Sequence, residues 1–375
     1  MRTLLLLTVL AGITGYAWAS GAIHFTNSIE YAAAQPASVV KAVEPTIDQA
    51  GVQIERMSLK EKVGQLFIAG HWDTESPSST AALVRKHALG GVIIMRAPEE
   101  ETLLSDWAQV WNASSTLPLL IAIDQEGGVV TRLKGKGYNL TPQREIESAA
   151  EALEIGRIRG AELAELGINT NFAPVLEASE NPEAFLYNRT FGNSDRVAIF
   201  GKAMIAGMHQ SGVIAVPKHY PGHEDTPVDS HEELPVLSVT EDEYTTHTRS
   251  FDNVIRYNNP YAMMTAHVLL PELDPQYPAT LSKIILEDTL RAEAGFAGVI
   301  ITDDMTMGAI TSTYDPAEAS VAALEAGADM ILFAADPDVI ASAITSVTAA
   351  IEDGTLSESR IDKSLERILE MKAEY

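Results

Sequence analysis

From Ile54 onward, short apolar runs alternate with longer stretches in which apolar residues recur at helical spacing. The short runs are rich in β-branched residues and bounded by glycine and proline, which is the signature of strands. They predict strands at Val63–Ala69, Gly91–Met95, Pro118–Asp124, Asn169–Pro174, Val213–Lys218, Tyr261–His267, Gly298–Asp303 and Asp329–Phe333. The longer stretches predict helices at Pro98–Ser114, Ile146–Leu166, Asp195–Ser211, Thr240–Asn258, Ser282–Ala294, Pro316–Ala326, Pro337–Ile351 and Ser357–Lys372. Eight strands alternating with helices fit an α/β protein built as a (β/α)8 barrel, one domain over residues 51–375. An open doubly wound sheet is the alternative. No GxGxxG follows the first predicted strand and no Walker A sequence is present, so a nucleotide-binding fold has no support.

Strand ends discriminate between surface turns and a barrel mouth, because a barrel gathers its working residues at the C-terminal ends of its strands. Here those ends carry Asp124, Lys218 with His219, His267, and Asp303 with Asp304. Ordinary turn chemistry explains an aspartate or two. It explains a Lys-His pair and a further histidine poorly.

The N-terminus has a different pattern. Arg2 precedes the apolar run Leu4–Ile13, and Ala17-Trp18-Ala19 has the small-x-small form of a cleavage site. Residues 1–19 are expected to be a signal peptide, and the protein to be exported, either periplasmic or secreted. An uncleaved anchor is the competing reading, but the run is short for a bilayer span. Residues 20–50, rich in Ala, Ser, Gln and Val with Pro36 and Pro45, are expected to form a loose arm or linker.

Composition narrows the chemistry. The 375 residues include no cysteine, which removes disulfides, thiolate nucleophiles and zinc–thiolate or iron–sulfur sites. With 26 Lys+Arg against 52 Asp+Glu, the net charge is -26, which argues against nucleic acid and anionic membranes as partners. Beyond the leader no stretch is apolar enough to cross a bilayer, and the chain is expected to act as a monomer without a cofactor.

Three motifs carry candidate chemistry. The first is Lys218-His219-Tyr220-Pro221-Gly222-His223, continuing to Asp229-Ser230-His231. Asp229 and His231 are two apart and share a face if the loop is extended. An aspartate accepting from one imidazole nitrogen leaves the other free for proton transfer. A metal held by His219, His223, Asp229 and His231, or simply a set of satisfied loop histidines, competes with that dyad. The second motif, Thr302-Asp303-Asp304, ends a strand in a carboxylate that can attack a sugar's anomeric carbon or merely cap the next helix. The third is Asp124-Gln125-Glu126-Gly127-Gly128 with Arg132 beyond it. An acid and an arginine at one mouth suit hydrogen bonding to hydroxyls, and the glycines allow close approach. Arg189, in Asn188-Arg189-Thr190-Phe191-Gly192, is a further clamp candidate.

Together, DQEGG-x3-R, NRTFG, KHYPGH-x5-DSH and ITDDM resemble glycoside hydrolase family 3, and within it the β-N-acetylglucosaminidase (NagZ-type) branch. The resemblance runs from about Met57 to Glu370. It implies a TIM-like barrel and exo-acting retaining hydrolysis of terminal β-linked GlcNAc, from peptidoglycan fragments or chitooligosaccharides. A β-glucosidase of the same family and a non-catalytic glycan-binding barrel are the alternatives. Carried over by position, Asp303 would be the nucleophile and His231 the proton donor and then base, oriented by Asp229. Asp124, Arg132, Arg189, Lys218 and His219 would hold the sugar. Many relatives bring the acid/base on a second domain, for which this sequence leaves no room after Asp303, so the resemblance points to His231. Tyr220 and Glu224 stand where the family usually has Phe and Gly, and Glu224 would add charge beside the dyad. A neutral imidazole base would also let phosphate compete with water as acceptor.

Overall fold

Eight parallel strands form: β1 (Phe67–His71), β2 (Gly91–Ile94), β3 (Leu120–Ile123), β4 (Thr170–Asn171), β5 (Ile214–Ala215), β6 (Ala262–Met264), β7 (Val299–Asp304) and β8 (Met330–Phe333). They pair in the order β5-β4-β3-β2-β1-β8-β7-β6. The two ends of that order meet just beyond β5. Met264 N–H donates to Pro217 O (3.0 Å), Tyr220 N–H to Met264 O (2.8 Å) and Ala266 N–H to Tyr220 O (2.6 Å). The sheet therefore closes into a barrel through the segment that contains Lys218 and His219. The peptide bonds preceding Pro174, His219 and Pro221 are cis. This computed structural model describes residues 49–223, 225–334 and 337–374. The expected leader, most of the arm and Glu224 lie outside the described residues.

Strands β2, β3 and β8 are buried along their whole length, as apolar runs covered on both faces must be. The first predicted strand is a correction. Val63 belongs to the helix Leu59–Gly64, because Ser58 and Glu61 form a capping box, and the strand begins only at Phe67. The helices Gln49–Ile54 and Pro77–His87 were likewise not predicted; the second starts on a Ser76 cap with proline in its first turn. The stretch predicted as one helix over Thr240–Asn258 is two, Glu241–His247 and Arg249–Asn258, with Thr248 between them bonding back to Tyr244 O. Among the described residues no helix is long and apolar enough to cross a membrane.

The two barrel ends are chemically distinct. Asp329, fully buried at the start of β8, is held at the N-terminal end by Arg291, Arg367 (2.8 Å), Ser364 (2.7 Å) and the Ile300 N–H (2.9 Å). That cluster staples helices to strands. The C-terminal end holds a second set of charges, with its groups open to the mouth.

Candidate functional site

Five charges alternate across the mouth. Asp124, which follows β3, accepts from Lys218 Nζ (2.7 Å) and Arg132 NH2 (3.1 Å). Lys218 Nζ also lies 2.7 Å from Glu126 Oε1. Arg189 closes the row with a bidentate pair to Glu126, 2.9 and 2.8 Å. Burial alone would raise the Asp124 and Glu126 carboxyls, but the cations outweigh it and hold both below their ordinary values. Burial alone would pull the Lys218 ammonium down, and the two carboxylates more than reverse that. Asp124, Glu126, Lys218 and Arg189 stay charged near neutral pH. Glu126 is 1% exposed and serves the network, whereas Asp124, Arg132 and Arg189 keep edges open to a ligand.

The loop after β3 owes its path to Gly127, whose φ of +90° suits glycine. A Cβ there would stand 2.3 Å from Thr141 O and 2.6 Å from an Arg159 nitrogen. Arg159 is buried inside the helix Ala149–Glu165 and donates to Glu126 O (2.7 Å) and Thr141 O (3.1 Å), propping the loop from beneath.

Beside the network sits a buried carboxylate, Glu177, bracketed by two histidines. It accepts from the His219 N–H (2.9 Å) and His219 Nδ1 (2.7 Å), and its oxygens lie 3.3 Å from His223 Nδ1. Burial would raise its carboxyl, but the imidazoles hold it well below the usual range. Burial keeps His219 below its ordinary value despite Glu177 and Asp303, so its neutral ring donates Nδ1–H to Glu177 and presents Nε2 as an acceptor. That nitrogen faces Arg189 NH2 at 3.5 Å and Asp303 Oδ2 at 3.9 Å. Glu177, His219 and His223 also form a group whose potential ligand atoms all lie within 4.8 Å, so they could hold a metal. The hydrogen bonds among those atoms already account for the geometry.

At the end of β7 the two aspartates part company. Asp304 is consumed locally: it accepts from Thr306 N–H (3.0 Å), Thr306 Oγ1 (2.7 Å) and Ala334 N–H (3.0 Å). Asp303 takes one backbone bond, from Asp304 N–H at 2.8 Å, and its 18% exposed side chain looks into the mouth. Burial would raise its carboxyl, but His219, His267 and Lys218 outweigh it and keep it ionised. His267, a strand-end candidate, lies beneath: its Nδ1 meets Thr280 Oγ1 (2.8 Å) and its Nε2 meets Asp304 O (3.1 Å).

Asp229 and His231 do meet, with Nδ1 2.7 Å from Oδ1, and 65% of the imidazole and 45% of the carboxylate side chain remain exposed. The reason differs from the extended loop expected. Asp229 Oδ1 also accepts the His231 N–H (3.0 Å), and Asp229 O accepts from Glu232 N–H (3.0 Å), so the pair sits on a tight turn. The four-ligand set of His219, His223, Asp229 and His231 does not assemble as one cluster among the described residues; the first two join Glu177 and the last two pair with each other.

The model of the glycosyl hydrolase family 3 N-terminal domain matches residues 58–371. The chain belongs to glycosyl hydrolase family 3. It is 31% identical over 338 residues to beta-hexosaminidase A of Pseudoalteromonas piscicida, covering 80% of this chain and 56% of that protein. A family 3 β-N-acetylglucosaminidase from Paenibacillus sp. str. FPU-7 superposes with a TM-score of 0.80 at 37% identity, covering 85% of this chain and 62% of that one. The β-N-acetylhexosaminidase of Beutenbergia cavernae superposes with a TM-score of 0.78 at 31% identity, covering 84% of this chain and 99% of that one. The chain therefore spans little more than half the length of the first of these relatives and less than two thirds of the second.

Three members of this family 3 site escaped the sequence reading. Glu126 stands in a quoted motif, two residues past a strand-terminal acid, but nothing local shows that it faces Lys218 and Arg189. Arg159 had a signal: with Ile155 and Leu163 it lies on one buried stripe of its helix, where an arginine needs partners. Glu177 had none, because its histidines come from beyond β5.

Proposed function

We propose that this barrel is an exo-acting retaining β-N-acetylglucosaminidase that removes terminal non-reducing β-linked GlcNAc from peptidoglycan fragments or chitooligosaccharides, without a cofactor. The observation that carries the reading is the unequal fate of the aspartates ending β7. Asp304 is spent on backbone and Thr306, while Asp303 is ionised, nearly free of partners and next to the sugar-holding network. Family membership and the names of the relatives support the sugar.

In this reading Asp124, Arg132, Arg189, Lys218 and His219 hold the hydroxyls of the sugar. Asp303 attacks the anomeric carbon while His231 protonates the departing oxygen, which leaves a glycosyl ester on Asp303. His231 then takes a proton from water as the water attacks the same carbon and frees Asp303. Asp229 fixes the ring by accepting its Nδ1–H, leaving Nε2 for both transfers. An imidazole can both give and take a proton, so one group serves as acid and then base.

The test is release of p-nitrophenol from the β-GlcNAc and β-glucose conjugates by the wild type, Asp303→Ala and His231→Ala, with and without EDTA. GlcNAc preference, loss in both variants and indifference to EDTA are expected. Glucose preference would discard the branch, and EDTA-sensitive activity would point to the Glu177 group as a metal site. Export is part of the proposal: N-terminal sequencing of the protein made in a bacterial host should find Ser20 first.

A further inference from the structure

Residues 227–234, which carry the dyad, rest on little. A cavity of about 780 Å³ lies against the two ends of the loop, lined by Thr226 and Pro227 at one and by Val236 and Leu237 at the other. The loop is pinned before the dyad where Phe185 N–H meets Thr226 O (3.3 Å) and after it where Leu269 N–H meets Pro235 O and Leu237 N–H meets Leu269 O (both 2.9 Å). Between those points, among the described residues, two backbone hydrogen bonds join it to the rest of the chain. Gly308 N–H donates to His231 O at 2.9 Å and Ala309 N–H to Ser230 O at 3.1 Å.

Those donors open the short helix Gly308–Thr311, five residues beyond Asp303. A helix's first N–H groups lack intrahelical partners and are usually met by a capping side chain. Met307 stands at the cap position and offers none. The carbonyls of Ser230 and His231 satisfy the helix start instead. The fit demands glycine: a Cβ on residue 308 would lie 2.1 Å from Glu232 O, 2.6 Å from Glu232 C and 2.9 Å from His231 O. Those are backbone atoms, so the loop as a whole would have to retreat.

We propose that Gly308 is a positioning residue that clasps the acid/base loop to the segment following the nucleophile, fixing His231 relative to Asp303. This rests on the roles given to His231 and Asp303 under the proposed function. Gly308 touches no substrate; it acts through His231. Adding a Cβ therefore weakens proton donation while leaving the sugar-holding network and Asp303 in place.

The test is a double-mutant cycle of Gly308→Ala with His231→Ala, run on two β-GlcNAc substrates. One has a poor leaving group that needs protonation, such as a methyl or sugar aglycone. The other is the 2,4-dinitrophenyl conjugate, which leaves without a proton. General acid catalysis is worth about 10²- to 10⁴-fold, and displacement by an ångström costs roughly 10²-fold. Gly308→Ala should thus lower kcat/KM on the poor leaving group by about 10- to 100-fold, and hardly at all on the dinitrophenyl substrate. It should add little in the His231→Ala background. Its melting temperature should fall by no more than a few degrees, because the freed helix N–H groups can bond water and alanine's helix preference offsets part of the loss. Equal losses on both substrates, additivity with His231→Ala, or wild-type rates would overturn the clasp. If His231→Ala itself leaves the poor substrate unaffected, the acid/base assignment fails, whatever Gly308→Ala does.

Discussion

Replacing Glu126 with glutamine tests whether the alternating charge row is what holds Arg189 and Lys218 in place. The carboxylate accepts two hydrogen bonds, from Arg189 Nε at 2.9 Å and Arg189 NH2 at 2.8 Å, and forms an ion pair with Lys218 Nζ at 2.7 Å. A glutamine has one acceptor oxygen, and its amide would point N–H bonds at a cation. About two charge-assisted hydrogen bonds are lost, each worth about 1.5–3 kcal/mol. The total of about 3–6 kcal/mol agrees with the roughly 3–5 kcal/mol for leaving a buried charge uncompensated. At about 2 cal/mol/K of unfolding entropy per residue, a chain this size should melt about 4–8 °C lower. Activity should fall with stability, because Arg189 and Lys218 lose the anchor that sets their direction; a drop in kcat/KM of about 100-fold, mostly in KM, is expected. Burial favours the protonated Glu126, yet Arg189 and Lys218 hold its carboxyl below 4.5. Its contribution is therefore complete above that pH and lost on acidification through the folded value, so Glu126→Gln should melt with a shallower acid slope. Calorimetry across pH 3–7, beside steady-state kinetics at neutral pH, measures both. A melting temperature within about a degree of wild type together with unchanged KM would refute the reasoning.

Three further outcomes follow from other parts of the molecule. Gly127→Ala forces a Cβ against Thr141 O and Arg159 at a positive φ, so it should cost about 2–4 kcal/mol and raise KM, as denaturant titration and kinetics would show. Lys372, buried with Gln65 Oε1 and Gly90 O at 2.8 Å, has its ammonium pushed down to about 7 by burial. Between that pH and about 10.4 the unfolded chain holds a proton that the folded chain has lost, so stability rises with pH there. From pH 7 to 9.5 wild type should gain about 3 kcal/mol relative to Lys372→Met; parallel curves would contradict the burial argument. In phosphate buffer, a mouth that carries Arg132, Arg189 and Lys218 should let phosphate intercept the proposed glycosyl ester, so phosphorus NMR should detect GlcNAc 1-phosphate, and free GlcNAc alone would count against it.

Local sequence carried the barrel and much of its mouth. Runs such as Gly91–Met95 and Gly298–Asp303 are apolar because both faces of a parallel strand are covered, and that demand is written into a few consecutive residues. The acids and the Lys-His pair at their ends were legible for the same reason: a polar residue closing a buried run must face the mouth or a turn. Where a local signal was misread, as with the Ser58–Glu61 capping box ahead of Phe67, the signal was nonetheless present.

Tertiary structure decided the rest, because the deciding partners are far apart in the chain. Asp303 and Asp304 are equivalent on paper. Ala334, arriving from β8, and the Thr306 turn occupy one carboxylate and leave the other exposed. Glu177 gains its role only because the β4–β5 pairing continues past both strands, with Leu176 N–H on Lys218 O (2.7 Å) and Lys218 N–H on Pro174 O (3.0 Å), and so brings His219 against it. The adjoining strand order β3-β4-β5 sets Lys218 between Asp124 and Glu126, and folding sets Gly308 against the carbonyls of a loop more than seventy residues earlier. Strand and helix periodicity is enforced by neighbours a few residues away; hydrogen-bond partners and the space for a missing Cβ are set by whatever the fold delivers.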